Sequence, residues 1–314
     1  MMERKMTREE EFLEKKDFFR RNGFLVIKHI VGLAPKHPSK LVDEILHSIF
    51  FLGEINEPKY SPKDIVIDED MMNILKGNYT DPFNLYATQV PMRTPISCVL
   101  DMTVYLTGQE KEGEIISALQ KLISELKKDQ AIEFVSFTIC VSQCNNTEES
   151  ERHYGVSMST AGRNPGRILT GGSCLSYWEL YVADAVNTYY PKTKKKTYFD
   201  GTIKIPEHVR CQAFTLTDGK PMASCRSCKN LFGLITSEIK EWPYGNCAEV
   251  ESLTNLLKKE KELEEEVRPT SETYTKENRE RAIAETLKEV TMSLVNMLHF
   301  KWDKKFYTPH GLTP

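Results

Sequence analysis

The stretch "WPYGNCAEVESLTNLL", residues 242–257, sets a cysteine and a glutamate two positions apart just where an amphipathic helix begins. A cysteine at a helix start is chemically conspicuous. The free backbone N–H groups and the positive end of the helix dipole stabilise a thiolate there, and a thiolate seeks a cation. A cation at Cys247 needs further ligands from the flanking chain.

Upstream, "SCRSC" supplies Cys225 and Cys228 at the opening of a second short helix, in "KPMASCRSCKNLFGLITSEI". Cys-x-x-Cys at a helix start turns both sulfurs to one side, so the pair can grip one metal ion. The same spacing also serves a thioredoxin-like redox pair or two inert thiols. Cys247 adds a third thiol nineteen positions beyond Cys228 (247 − 228), again at a predicted helix start. Three thiolates at two helix starts predict a tetrahedral zinc site with one position open, as catalytic zinc requires. Cys211, in the preceding strand, or Cys174, at the start of an earlier helix, could close that position and make a four-cysteine structural site. Glu249 falls in the first turn, where a carboxylate can take a proton from water and hand it to a substrate. Glutamates there also complement the helix dipole, which is the simpler account of Glu251.

The flanking segments alternate strand and helix. "IEFVSFTICVS" and "HYGVSMSTAG" read as the arms of a hairpin around the polar loop "QCNNTEESER". "RILTGGS" reads as a glycine-rich turn leading into the helix "CLSYWELYVADAVNTYY". "KTKKKTYFDGTIKIP" reads as an exposed basic loop with an edge strand, and "VRCQAFTLTDG" as a strand ending in an Asp-Gly turn. The expected fold is α/β: a mixed sheet whose helices carry zinc ligands at their N-termini, preceded by a mainly helical region. The boundaries fall at 1–130 for the helical region, 131–268 for the zinc domain, and 269–314 for a C-terminal helix. That last helix should pack through Ile283, Leu287, Val290 and Leu294. In the helical region Ile115, Leu119, Leu122 and Leu126 share one face, and Ser39 is placed to cap "KLVDEILHSIFFLGEI". "KKEKELEEEVRP" reads as a solvated helix end and linker.

With 314 residues, 40% of them hydrophobic, the chain can bury a substantial core. A net charge of −3 leaves no electrostatic footprint for duplex nucleic acid or an anionic membrane, yet allows a single base or nucleotide as substrate. The first 21 residues carry dense charge of both signs without an apolar h-region, which predicts no secretory signal. No apolar run is long enough to span a bilayer, so a cytoplasmic or nuclear home is expected. Eight cysteines in such a compartment serve as metal ligands, nucleophiles or buried apolar residues rather than in disulfides.

At "NCAE" and "SCRSC" the chain resembles the zinc-dependent cytidine deaminase superfamily. That family's signature is a Cys-Ala-Glu or His-Ala-Glu triplet opening one helix and Pro-Cys-x-x-Cys opening another. The resemblance implies Zn²⁺ on Cys225, Cys228 and Cys247, with Glu249 as proton shuttle. It also implies hydrolytic deamination of a cytosine-type base or adenine, in a nucleoside, a nucleotide or a single-stranded nucleic acid. Here the paired cysteines precede the triplet, the reverse of the family order, and the proline stands at Pro221. Alternatively "GGSCLSYWE" takes the place of the first catalytic helix, with Cys174 present but Ser176 where the glutamate belongs, which would describe a degenerate relative. A reading from another class is a non-enzymatic interaction protein with a structural zinc site, its helical half binding a protein partner.

Other residues leave two readings each. His153 and His208 are ligands or ordinary hydrogen-bonded histidines. Tyr177, Trp178 and Tyr181 stack on a base or fill the core, and "WPY" at Trp242 lines a pocket or packs. The basic run at 192–196 touches phosphates or is solvated, and "GRNPGR" holds two arginines without matching a recognised phosphate loop.

Overall fold

Before the first strand the α-helices of the described chain are α1 (Phe18–Leu33), α2 (Ser39–Glu54), α3 (Pro62–Ile65), α4 (Glu69–Asn78), α5 (Thr80–Leu85), α6 (Pro95–Thr107) and α7 (Glu112–Leu126). The computed structural model describes residues 17–33, 39–145, 147 and 150–309. Local chemistry sets the helix starts. Asp68 accepts the Met71 N–H at 2.8 Å to open α4, and Thr94 caps α6 with Pro95 at its first position. Ser39 is the first helical residue of α2 rather than its cap, and the position before it lies outside the described residues, as does the charged segment 1–16. On α7 the predicted stripe Ile115, Leu119, Leu122 and Leu126 is buried.

The predicted hairpin is formed by β1 (Thr138–Gln143) and β2 (His153–Val156), antiparallel with Cys140 opposite Gly155. On the other side of β1 lies β3 (Arg210–Thr215), and β4 (Pro221–Met222) pairs with β3 across the predicted Asp-Gly turn, where Gly219 has φ +71°. The order is β2-β1-β3-β4, with every pairing antiparallel. The expected mixed sheet is therefore corrected. β2 and β3 do run the same way, but β1 lies between them, so neighbouring strands never run parallel. The expected edge strand within 192–206 is also absent; that stretch is irregular, and β4 takes the edge.

Between β2 and β3 run α8 (Arg163–Ser176) and α9 (Leu180–Asn187). The segment "RILTGGS" is not a turn but lies inside α8. Its glycines serve close packing: a Cβ on Gly171 would stand 2.3 Å from Val290 Cγ2, and one on Gly172 3.3 Å from the Pro91 carbonyl oxygen. Val290 belongs to α13 (Lys276–Thr291), reached through α10 (Arg226–Phe232), α11 (Ala248–Lys259) and α12 (Lys261–Glu266). The buried face of α13 is Ala282, Thr286 and Val290, whereas Leu287 is 43% exposed. Close approach to α8 and a hydrogen bond from Thr286 Oγ1 to Asn187 Oδ1 (2.8 Å) rotate the helix away from the expected Ile283–Leu287 face; Leu294, in the π-helical turn that follows, is buried as expected. In the charge run, Leu263 and Val267 are buried, so only its polar side is solvated.

One hydrophobic cluster joins Ile27, Ile45 and Phe50 of the helical region to Ile139, Val141 and Val156 of the sheet and to Val290 and Leu294. A second gathers Val186, Leu231, Phe232, Val250, Leu253 and Leu256 around α10 and α11. No helix among the described residues is long and apolar enough to cross a membrane.

Candidate metal centre

Cys225 and Cys247 are the N-caps of α10 and α11, with extended backbone (φ −77°, ψ 169° and φ −81°, ψ 150°). Neither side chain caps its own helix, so the two sulfurs are free to face one another. Cys225 Sγ lies 3.3 Å from Cys247 Sγ and 3.7 Å from Cys228 Sγ, and the three donor atoms fall within 4.8 Å of one another. Sulfurs bound at the usual ~2.3 Å to one tetrahedral zinc ion are about 3.8 Å apart, so the spacing and the soft donor set both fit zinc. The predicted convergence of two helix starts is thus present.

The other cysteines lie elsewhere. Cys211 Sγ is 3.6 Å from Cys140 Sγ and accepts from Ser142 Oγ at 3.5 Å, on the sheet. Cys174 is partly buried at the end of α8 and feels Asp184 and Lys196. Among the described residues neither belongs to the metal-ligating group, and neither do His153 and His208. All eight cysteines are unpaired. Sulfur–sulfur contacts with Cys228 and Cys247 push the Cys225 thiol far below its ordinary range, and the same contacts with Cys225 raise Cys228 and Cys247. Three thiols this close together favour a thiolate among them, whose charge a divalent cation would neutralise.

Glu249 is 4% exposed. Burial raises its pKa, the charge at Cys225 raises it further, and hydrogen bonds with Cys228 and Ser224 oppose the shift. Glu249, with Cys225, Cys247, Asn246 and Trp242, lines a cavity of about 500 Å³. The loop bearing Trp242 is fastened to α10, since Ser227 Oγ donates to the Trp242 carbonyl (2.6 Å) and accepts its N–H (2.9 Å). Of the "WPY" segment, Trp242 lines this cavity at 48% exposure, whereas Tyr244 is buried and stacks on Tyr189 with ring centroids 3.9 Å apart. Tyr177, Trp178 and Tyr181 do not line it: Tyr177 lies under Arg93, and Trp178 and Tyr181 belong to the second core cluster.

α11 is held to the sheet by Ser142 and Ser252 (Oγ to Oγ 2.8 Å) and by Asn255 Nδ2 donating to the Tyr154 carbonyl (2.8 Å). Glu251 lies in the first turn, where its charge complements the dipole as expected, and it is also part of this attachment. It is 5% exposed and accepts the Val156 N–H at 2.9 Å. Sequence reasoning missed it together with the group it faces. Arg93, from the helical region, is 6% exposed; it makes a forked pair with Glu44 (2.8 and 3.1 Å), pairs with Asp101, and donates to Tyr177 Oη at 2.9 Å. No local sequence signal links residues more than 150 positions apart.

Burial, then the Asp101 charge, push Glu251 up to about 7, against Arg93 and the hydrogen bonds from Val156 and Ser97. Glu251 therefore holds its proton more tightly folded than unfolded, so its contribution to stability falls as pH rises from about 4.5 to about 7 and is least above that. Glu251→Gln should remove this slope. In urea unfolding at about pH 5.5 and about pH 8, the variant should gain about 2 kcal/mol on the parent between the two. An unchanged difference would show that Glu251 does not titrate in this window.

The chain matches no family model, no curated protein and no solved structure.

Proposed function

We propose that the protein is a zinc-dependent hydrolytic deaminase of a cytosine-type base or adenine, with a deaminase-like arrangement of helix-borne ligands. The observation that carries the reading is the meeting of three cysteine sulfurs from two helix starts beside one buried carboxyl group, at the wall of a cavity large enough for a nucleobase. Cys225, Cys228 and Cys247 would hold Zn²⁺. When bound, zinc supplies a Lewis acid that makes water a competent nucleophile near neutral pH.

The chain's own groups do the rest. Glu249, held by Ser224 and by the Cys228 sulfur, takes a proton and returns it to the leaving amine, and its burial keeps the protonated form within reach. Trp242 offers a ring face on which a flat base can stack, and Asn246 an amide to hydrogen-bond its edge. Eight cysteines without a disulfide are in keeping with a reducing compartment such as the cytoplasm or nucleus, which forms part of this reading.

The test is a joint measurement of zinc content and ammonia release. About one zinc ion per chain is expected, lost in Cys228→Ser, with ammonia released from at least one substrate among cytidine, adenosine, their monophosphates and short single strands. Stoichiometric zinc with no ammonia from any of them would leave the interaction-protein reading in its place.

A further inference from the structure

Beside the cavity at Glu249 lies a larger one of about 840 Å³. Met158 and Asn246 line both, so the two meet at the residue that precedes Cys247. They are linked by backbone as well, since the Met158 N–H donates to the Asn246 carbonyl at 2.9 Å. The larger cavity is lined by Arg163 and Arg167 of α8, Lys192 of the loop after α9, and one carboxylate, Glu289, giving a net charge of +2 (3 − 1). Arg167 is paired with Glu289. Arg163 and Lys192 are exposed and have no carboxylate partner among the described residues.

This local excess stands out in a chain whose net charge is −3. The rest of the basic run is accounted for: Lys195 pairs with Asp200, and Lys196 donates to the carbonyls of Asn187 and Tyr190. Lys194 lines neither cavity. Two free cations facing a space of this size suit an anion carried on something larger than itself.

We propose that the second cavity is a phosphate subsite of the same substrate. The base enters the pocket beside Glu249, and a phosphate attached to its sugar reaches across Met158 and Asn246 to Arg163 and Lys192. The inference rests on the reading of the first cavity as a base pocket, and it selects among the substrates of that reading. A free base or an unphosphorylated nucleoside leaves both cations unmatched, whereas a nucleotide or a short single strand supplies their partner.

The experiment uses the full chain with Glu249→Gln, so that bound substrate is not consumed, and titrates cytidine, cytidine 5′-monophosphate and a five-nucleotide single strand with one cytosine. The adenosine series is run in parallel. Phosphorylated ligands should bind about tenfold more tightly than the nucleoside. Arg163→Ala with Lys192→Ala should cut that advantage about tenfold and flatten the salt dependence of log K by about 1 to 2. Lys194→Ala should preserve the advantage, and zinc content checks that each variant is folded. Equal gains for monophosphate and single strand assign a mononucleotide, and a greater gain for the strand assigns a polymer; both support the subsite. Nucleoside binding as tight as nucleotide binding, an advantage that survives the double variant, or no binding by any ligand would overturn it. Ammonia release by the parent chain is scored separately. A phosphate advantage without turnover removes the deaminase reading and leaves the subsite, and turnover without the advantage does the reverse.

Discussion

On the proposed deaminase reading, Glu249→Gln should keep a bound zinc ion and lose about 10²–10⁴-fold in the rate of ammonia release. The substitution preserves shape, and the amide oxygen can still accept from Ser224, so the local packing around α11 is retained. What is removed is the exchangeable proton. Among the described residues no other carboxylate lines this cavity to replace it, and Glu251, two residues on, is engaged by the Val156 N–H on the sheet. The effect should fall on kcat more than on KM, since proton transfer belongs to the transition state while base stacking and edge recognition are shared with the ground state. Metal analysis alongside the rate separates a lost proton shuttle from a lost ion. A variant that turns over within threefold of the parent would remove Glu249 from the mechanism, and with it the reason for preferring an enzyme to a structural zinc site.

The two helix starts were legible because their signals are local. A cysteine at an N-cap, an amphipathic run behind it and a Cys-x-x-Cys spacing each lie within one or two turns, and the structure brings these three sulfurs together. The hairpin of β1 and β2 and the buried face of α7 were readable for the same reason, a periodicity that needs no partner to define it. What escaped depended on a distant neighbour. Gly171 and Gly172 look like a turn until α13 and the Pro91 carbonyl are seen pressed against them. The buried face of α13 follows from that contact and not from its most apolar residues. Glu251 looks like an exposed helix-start acid until β2 and Ser97 of the helical region close over it. Arg93 carries no motif at all; its place among Glu44, Asp101 and Tyr177 is a product of the tertiary fold, and through Tyr177 and Glu251 it ties the helical region to the helix that bears the candidate site.

Gly155 is the position at which that helix is most sensitive to a single methyl group. It lies on β2 opposite Cys140, and a Cβ there would stand 2.3 Å from the Ser252 nitrogen, 2.5 Å from the Ala248 carbonyl oxygen and 2.8 Å from the Glu251 carbonyl carbon. All three are backbone atoms of the first turns of α11, so no side-chain rotation relieves the clash. The helix must move off the sheet, straining the Glu251–Val156 and Asn255–Tyr154 hydrogen bonds and carrying Cys247 and Glu249 away from Cys225. Gly155→Ala should therefore cost about 3 kcal/mol or more, and Gly155→Val should not give a stable fold. Gly77, exposed on α4 with nothing within 4 Å of its would-be Cβ, supplies the contrast. Gly77→Ala should stabilise by about 0.5–1 kcal/mol, because only the entropy of the unfolded chain and helix propensity change. Urea unfolding of the two alanine variants checks the difference, and zinc affinity checks its consequence, which should weaken for Gly155→Ala and hold for Gly77→Ala. A Gly155→Ala variant within about 1 kcal/mol of the parent and with its zinc affinity unchanged would mean that α11 tolerates displacement, and that the seating of Glu249 does not depend on how closely the helix approaches the strand.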